Sequence, residues 1–213
     1  MTRCDDPACR CSLPEWGAVD FGDDRLDTTQ RKVRSAAFLE LLRAGHPASN
    51  ETIARNSGSP IRLVREVLAQ FAERGSAQFD GKDRIVGIAG ISIEPTRHTL
   101  DLPPGKRWTW CALDAVGIVG ALGSGTITST GPGGDFAIGY HKGCFDPADL
   151  VIFIADGYGI TSSIGGWCPL VDFFPSIQAA EDWGRERGVE GRGVPVRHVA
   201  SIAAERWRTI IEG

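Results

Sequence analysis

One apolar run constrains the fold of this chain more than any other feature. It follows Cys111 and continues to Leu122 with apolar residues on nearly every side of a helix. A surface helix carries a single apolar stripe, so this run predicts a helix buried in the core. Cys111 and Asp114, three positions apart, are neighbours on one face of that helix.

Asp114 places a carboxyl group on this buried helix, beside the Cys111 thiol. Burial penalises the charged form of a carboxyl group, so the position is unfavourable unless the group is hydrogen-bonded or has a chemical role. The simplest hypothesis is that Asp114 exchanges a proton with the thiol. A second cysteine, Cys168, lies far along the chain at the other end of the apolar region.

The composition is that of an ordinary globular protein, with 42% hydrophobic and 23% charged residues. The net charge of −4 provides no strong basic field for nucleic acid or an anionic membrane surface. The first residues are acidic where a secretory signal is apolar, and no segment has the apolar length of a membrane span. We therefore expect a cytoplasmic protein with no membrane partner. In that reducing compartment its six cysteines are expected to be ligands, nucleophiles or buried thiols rather than disulfide partners.

The sequence divides into three predicted segments. Residues 1–25 lack periodicity and are predicted to form a flexible tail. This tail bears three cysteines: Cys4, Cys9 and Cys11. Residues 26–93 show the order helix, helix, turn, helix and hairpin, which is a winged-helix-like arrangement. Residues 94–213 form the main domain, in which strands and helices do not alternate as crossover units. The predicted fold class is therefore α+β with mixed or antiparallel strands.

Local signals place the elements of the winged-helix-like segment. We predict a helix over 31–44, a short helix capped by Ser49, a longer helix over 60–74 and a hairpin over 77–93. In a DNA-binding winged helix the longer helix would be the recognition helix. Its positive charges are Arg62, Arg65 and Arg74, but Glu66 and Glu73 share the same helix. The chain is acidic and the basic stripe that phosphate binding requires is missing, so we do not expect DNA as a partner.

The main domain begins with a predicted strand over 98–102 and a turn that leads to the Cys111 helix. A glycine-rich stretch over 123–140 predicts short strands, and an apolar run over 151–155 predicts another strand. Cys168 is predicted at the mouth of a strand over 170–174. Two helices, over 176–187 and 195–211, complete the predicted order.

Two blocks of this sequence resemble the organomercurial (alkylmercury) lyases of bacterial mercury resistance. The first block is Trp110-Cys111-Ala112-Leu113-Asp114. The second is Trp167-Cys168, followed by Val171, Phe173-Phe174 and Ala180-Glu181-Asp182-Trp183. The winged-helix-like segment occupies the same place as in that family. Pro169 departs from the pattern, since lyases of this kind often have a second cysteine there, and residues 128–131 lack a cysteine that some members have.

The resemblance implies an enzyme that cleaves carbon–mercury bonds by protonolysis, giving a hydrocarbon and Hg(II). On the matching positions, the mercury-binding cysteines are Cys111 and Cys168, and the catalytic acid is Asp114, which also belongs to the metal site. The substrate is a small organomercurial, and the product passes to a thiol acceptor such as mercuric reductase or low-molecular-weight thiols. No organic cofactor is expected, and we expect a monomer.

The proposed chemistry agrees with these residue types. Mercury(II) is a soft ion, so thiolate sulfur selects it where carboxylate oxygen or imidazole nitrogen alone does not. A helix N-terminus and a nearby proton acceptor are expected to make the Cys111 thiol easier to deprotonate. Asp114 would store that proton and donate it to the departing carbon as a general acid.

Other residues have two interpretations each. Trp110 and Trp167 are either apolar walls of a substrate pocket or ordinary core tryptophans. Cys4, Cys9 and Cys11 offer three soft ligands without an obvious fourth, so they are either accessory metal ligands or part of an inert end. Cys144 has no partner by spacing and is expected to be a packed or idle thiol.

A second function uses the same thiols. The chain could be a soft-metal sensor or carrier for Hg(II) or Cu(I), in which the winged helix contacts DNA. Both functions predict metal binding by Cys111 and Cys168. Only the lyase predicts release of a hydrocarbon.

Overall fold

The computed structural model describes residues 25–141, 143–157 and 163–213. Within these ranges the α-helices are α1 (Thr28–Ala44), α2 (Asn50–Ser57), α3 (Ile61–Glu73), α4 (Ala112–Leu122), α5 (Ile177–Arg187) and α6 (Val196–Glu212). The strands are β1 (Ala77–Phe79), β2 (Ile85–Ile88), β3 (Ile91–Ser92), β4 (His98–Leu102), β5 (Gly105–Thr109), β6 (Gly125–Gly131), β7 (Gly134–His141), β8 (Cys144–Asp146), β9 (Val151–Ala155), β10 (Asp172–Phe174) and β11 (Gly191–Pro195). The predicted tail, with Cys4, Cys9 and Cys11, lies outside the described residues.

Capping residues define the ends of the first helices. The Asp27 carboxylate accepts a hydrogen bond from the Gln30 backbone, so α1 begins three residues earlier than the periodicity predicts. Ser49 caps α2, where its hydroxyl accepts from the Thr52 amide at 3.1 Å, and Gly58 ends the helix in a left-handed conformation. The predictions for α2 and α3 are confirmed.

The described strands form two antiparallel sheets. The larger has the order β1-β2-β3-β5-β4-β6-β7-β8, and the smaller has β9 between β10 and β11. Because β3 pairs with β5, hydrogen bonding continues from the winged-helix-like segment into the main domain. The α+β fold class is confirmed. The winged-helix description and the division at residue 93 remain predictions.

Helix α4 lies in the core as its apolar sequence predicts. Nine of its residues are buried, and its C-terminal end is closed by Gly123 in a left-handed conformation. On one side it packs against α6, where the Trp207 ring leaves no space for a Cβ atom at Gly117. Each fully buried valine or isoleucine contributes about 1.5–3 kcal/mol, so this helix anchors the domain.

Three strands lie where the sequence predicts none. For the segment that forms β5, the sequence predicts only a turn and a connection to the Cys111 helix. With the charged Arg107 in it, the segment lacks the alternation of apolar and polar residues that is typical of a strand. The structure buries that guanidinium, which donates to the carbonyl oxygens of Leu41 and Leu42 at 2.7 Å each. β8 and β11 are short and polar or glycine-rich, and only pairing with β7 and β9 makes them strands.

Two expectations about cysteines are corrected. Cys168 lies in a 3-10 turn, Cys168–Leu170, and the strand that follows begins at Asp172 rather than at 170. Cys144 is disulfide-bonded, so the packed or idle thiol expected there is wrong. Spacing cannot reveal such a bond, because disulfides join cysteines that the fold brings near each other.

No helix in the described ranges is both long enough and apolar enough to cross a membrane.

Candidate active site

Cys111 is the N-cap residue of α4. Its backbone is extended, with φ −149° and ψ 171°, and its sulfur accepts a hydrogen bond from the Asp114 amide at 3.4 Å. The Asp114 carboxylate in turn accepts from the Cys111 amide at 3.1 Å. This is a capping box in which cysteine takes the position usual for serine or threonine. The start of the helix therefore determines where both side chains lie.

The same carboxylate oxygen also faces the thiol. The Cys111 S–H group donates to Oδ2 of Asp114 at a distance of 3.1 Å. A proton can therefore pass between sulfur and oxygen along one hydrogen bond. The proton exchange inferred from the sequence has the geometry that it requires.

Cys168 completes a cluster of three potential ligands. Its sulfur, the Cys111 sulfur and an Asp114 carboxylate oxygen all lie within 4.8 Å of one another, and all three residues are buried. The turn that carries Cys168 is tied to α4, because the Ala112 amide donates to the Val171 carbonyl oxygen at 3.2 Å. The structure thus brings together the three residues singled out from the sequence.

Arg97 and Asp172 hold the Cys168 turn from its other side. The Arg97 guanidinium donates to the Pro169 carbonyl oxygen at 3.0 Å, and a second nitrogen lies 3.0 Å from Oδ2 of Asp172. The Asp172 side chain is 1% exposed. Neither residue is predicted as functional from the sequence, although an aspartate within an apolar strand is an available signal.

The two tryptophans beside the cysteines have satisfied N–H groups. Half-buried Trp110 donates to the Gln78 side chain at 3.1 Å, and buried Trp167 donates to the Ala155 carbonyl oxygen at 2.7 Å. Both bonds are of the kind that buried tryptophans usually make. A role for either ring as a pocket wall stays a prediction.

Comparison with known proteins assigns the chain to a family. The sequence model of alkylmercury lyase, MerB, matches residues 91–207, which contain Cys111, Asp114 and Cys168. The chain belongs to the alkylmercury lyase family. The family resemblance carried by the two sequence blocks is thereby confirmed.

Individual alkylmercury lyases agree with this assignment. Those of Staphylococcus epidermidis and Bacillus cereus are 28% and 29% identical to this chain over 152 and 153 residues. Each alignment covers 68% of this chain and 68% of the relative. The solved structure of the mercury-bound form of MerB2 superposes with a TM-score of 0.78 at 20% identity, covering 88% of this chain and 94% of that chain. At that identity the likeness shows a shared fold.

Electrostatics in this alkylmercury lyase family member keep the Cys111 thiol protonated. Burial raises the pKa of Cys111 well above its ordinary value, and the hydrogen bond with Cys168 and the charge of Asp114 raise it further. The expectation that the helix N-terminus makes this thiol easy to deprotonate is wrong for the protein without metal. Desolvation in the core outweighs the helix terminus.

The pKa of Asp114 is raised as well, but it stays below neutral pH. Burial raises its pKa to about 6, although the hydrogen bond from Cys111 and the positive charge of Arg206 lower it. At neutral pH the carboxylate form therefore predominates, ready to accept a proton from sulfur. The same burial favours the neutral carboxylic acid over the charged form.

Cys168 is also a protonated thiol at rest. The hydrogen bond with Cys111 lowers its pKa, but burial and the charge of Asp114 outweigh this and raise the pKa overall. Arg206, on α6, lowers the pKa of both Cys168 and Asp114. Arg206 cannot be predicted from the sequence, because only the tertiary structure brings α6 close to the cluster.

Proposed function

We propose that this member of the alkylmercury lyase family cleaves the carbon–mercury bond of small organomercurials by protonolysis. The observation that carries the proposal is the convergence of two buried thiols and one carboxyl group within 4.8 Å. Two sulfurs select a soft ion over the harder divalent metals. The adjacent carboxyl group supplies what a simple metal-binding site lacks, a proton donor for carbon.

The first step is capture of the substrate cation R–Hg⁺ by Cys111. Coordination to a metal deprotonates a thiol, so the sulfur loses its proton as the bond to mercury forms. The nearest acceptor is Oδ2 of Asp114, 3.1 Å away. Burial of Asp114 stabilises the resulting carboxylic acid until it donates its proton in the second step.

The second step joins Cys168 to the same mercury ion and breaks the bond to carbon. Two thiolates increase electron density on mercury and weaken the carbon–mercury bond, while Asp114 donates its proton to the departing carbon. The reaction converts R–Hg⁺ and two thiols into R–H, Hg(II) bound by two thiolates, and one proton released to solvent. Asp114 returns to its carboxylate form. Electron density and proton both come from side chains, so the proposal includes no organic cofactor.

Release of Hg(II) requires a competing thiol. Attack by another thiolate is the favoured way to exchange a thiolate-bound soft metal. We propose that an external dithiol or low-molecular-weight thiol, or the thiols of a mercuric reductase, accept the ion. We further propose that the protein acts as a monomer in the cytoplasm.

Hydrocarbon release is the direct test. Phenylmercury added to the protein with excess thiol should yield benzene in the headspace, measured by gas chromatography. Cys111→Ser and Cys168→Ser should each abolish release, whereas Ser49→Ala, remote from the cluster, should not. Benzene release by the double serine variant would refute the scheme.

The sensor or carrier function predicts binding without turnover. The arginines of α3 carry little unpaired charge for DNA, because Arg62 lies 3.1 Å from Glu66 and Arg65 lies 3.6 Å from Glu51. With the family assignment, this favours the lyase. A protein that binds phenylmercury stoichiometrically but releases no benzene would favour the alternative.

A further inference from the structure

The turn between β2 and β3 lies directly against Asp114. Ala89 and Gly90 form this turn with left-handed backbone, at φ 50° and 88°. A Cβ atom at Gly90 would lie 2.5 Å from both Cγ and Oδ1 of Asp114. The carboxyl group therefore packs on bare backbone, at a distance that only glycine permits.

Trp207 anchors that turn from α6. Its indole N–H donates to the Ala89 carbonyl oxygen at 3.0 Å, and the ring is 0% exposed. The Trp110 amide also donates to the Gly90 carbonyl oxygen at 3.1 Å. The turn is thus held on one side by the helix α6 and on the other by the residue before Cys111.

We propose that Gly90 and Trp207 are positioning residues for Asp114: the turn that Trp207 anchors holds the carboxyl group in place beside Cys111. The inference rests on the proposed function, because it gives the turn a role in proton transfer. Gly90 precedes the segment 91–207 that the family model matches. This turn, which lies within residues 26–93, therefore supplies one wall of the site.

Moving the Asp114 carboxyl group should slow cleavage without preventing the binding of mercury. Both thiols would still capture mercury, because neither contacts this turn through a described hydrogen bond. Proton transfer to carbon would slow, since a displacement of about 1 Å can lower a rate by about 100-fold. A positioning role therefore predicts a lower cleavage rate at unchanged stoichiometry of binding.

Gly90→Ala tests the contact, and Gly123→Ala is its matched control. Gly123 has φ 79° at the end of α4, and a Cβ atom added there would meet no other atom within 4 Å, so its alanine variant has the same backbone strain without the clash. In single-turnover experiments Gly90→Ala should release benzene about 100-fold more slowly while phenylmercury still blocks both thiols. Gly123→Ala should release it at the wild-type rate. Trp207→Phe, which keeps a ring but loses the N–H donor, should slow the same step by a smaller factor.

A structural measurement separates this inference from the proposed function. Hydrogen exchange of the Cys111 amide reports its bond to the Asp114 carboxylate without any turnover. Exchange should be faster in Gly90→Ala, as in Asp114→Ala, and unchanged in Gly123→Ala. If the wild type releases no benzene, the proposed function fails and amide exchange alone decides the inference.

Wild-type amide exchange and wild-type benzene release in a folded Gly90→Ala variant would overturn the inference. If that variant does not fold, the same two measurements on Trp207→Phe test the inference. Unchanged exchange and unchanged release in Trp207→Phe would then exclude the positioning role.

Discussion

The sulfur of Cys111 and Oδ2 of Asp114 lie 3.1 Å apart, joined by a direct hydrogen bond in the first turn of one buried helix. The same oxygen accepts from the Cys111 amide, which holds it in place. The thiol proposed to bind mercury and the acid proposed to protonate carbon therefore share one structural unit. In the proposed mechanism, the proton that the Cys111 sulfur loses on binding mercury passes directly to Asp114.

Replacing the acid should separate binding from cleavage. Asp114→Asn keeps the size of the side chain but cannot carry the proton. We expect it to bind phenylmercury with both thiols and to release benzene about 100-fold to 10,000-fold more slowly. Rapid quench with headspace analysis measures the rate, and titration of free thiols measures binding. Wild-type turnover by Asp114→Asn would show that the proton comes from elsewhere.

The pH profile should show the titration of Asp114. Burial raises its pKa to about 6, and the carboxylate form is the one that accepts the thiol proton. We therefore expect kcat/KM for phenylmercury to fall as the pH drops below about 6, since this parameter reports groups in the free enzyme. Initial rates at low substrate concentration between about pH 4.5 and about pH 8 would measure it. The Asp114→Asn variant should lack this acidic limb, and an identical limb in that variant would assign it to another group.

Asp172 should make stability fall with rising pH. Burial raises its pKa from 3.8 to about 6, although the charge of Arg97 lowers it. The folded protein then binds more protons than the unfolded chain between these two values, so this stabilisation is complete below about pH 4 and is lost as the pH rises through about 6.

Urea unfolding of wild type and Asp172→Asn measures this effect. The free energy of unfolding of the wild type, relative to the variant, should decrease by on the order of 1–3 kcal/mol from about pH 4 to about pH 7. A pH-independent difference between the two proteins would mean that Asp172 titrates normally.

Arg97 should affect how tightly Cys168 retains Hg(II). Lysine cannot reach the Pro169 carbonyl oxygen and the Asp172 carboxylate at once, as the guanidinium does. We expect Arg97→Lys to weaken retention of Hg(II) by about 10-fold to 100-fold, the usual effect of residues that support metal ligands. Competition with a thiol chelator measures it. Arg84→Lys, at the ion pair with Asp80, is the control and should retain Hg(II) like the wild type.

Local sequence predicted the elements whose signals lie within a few residues. Ser49 marks the start of α2 and Gly58 marks its end, and the apolar run after Cys111 indicates a buried helix. Both signals are local, because caps and periodicity act over one or two turns. Cys111 and Asp114 are only three residues apart, so the sequence alone predicts that they are neighbours on one helix. The place of Cys168 in the site came from a family resemblance, since nothing local links it to Cys111.

Contacts between distant segments could not be predicted in this way. The strand β11 exists because β9 offers it a partner, and Arg97 reaches Asp172 only after the sheet and the turn have met. Gly90 gives no sign in the sequence that Asp114 will lie against it. Each of these contacts depends on how separate elements pack.

The sequence by itself determined the helices apart from the start of α1, the Ser49 cap of α2, the α+β class and the pairing of a thiol with a carboxyl group on one turn. Only the tertiary structure decided that a second sulfur joins them, that Gly90 closes one side, and that burial raises the pKa of Cys111 instead of leaving it low. The physical reason is that propensity and capping are properties of neighbouring residues. Desolvation and ligand geometry instead depend on everything that surrounds a side chain in the folded chain.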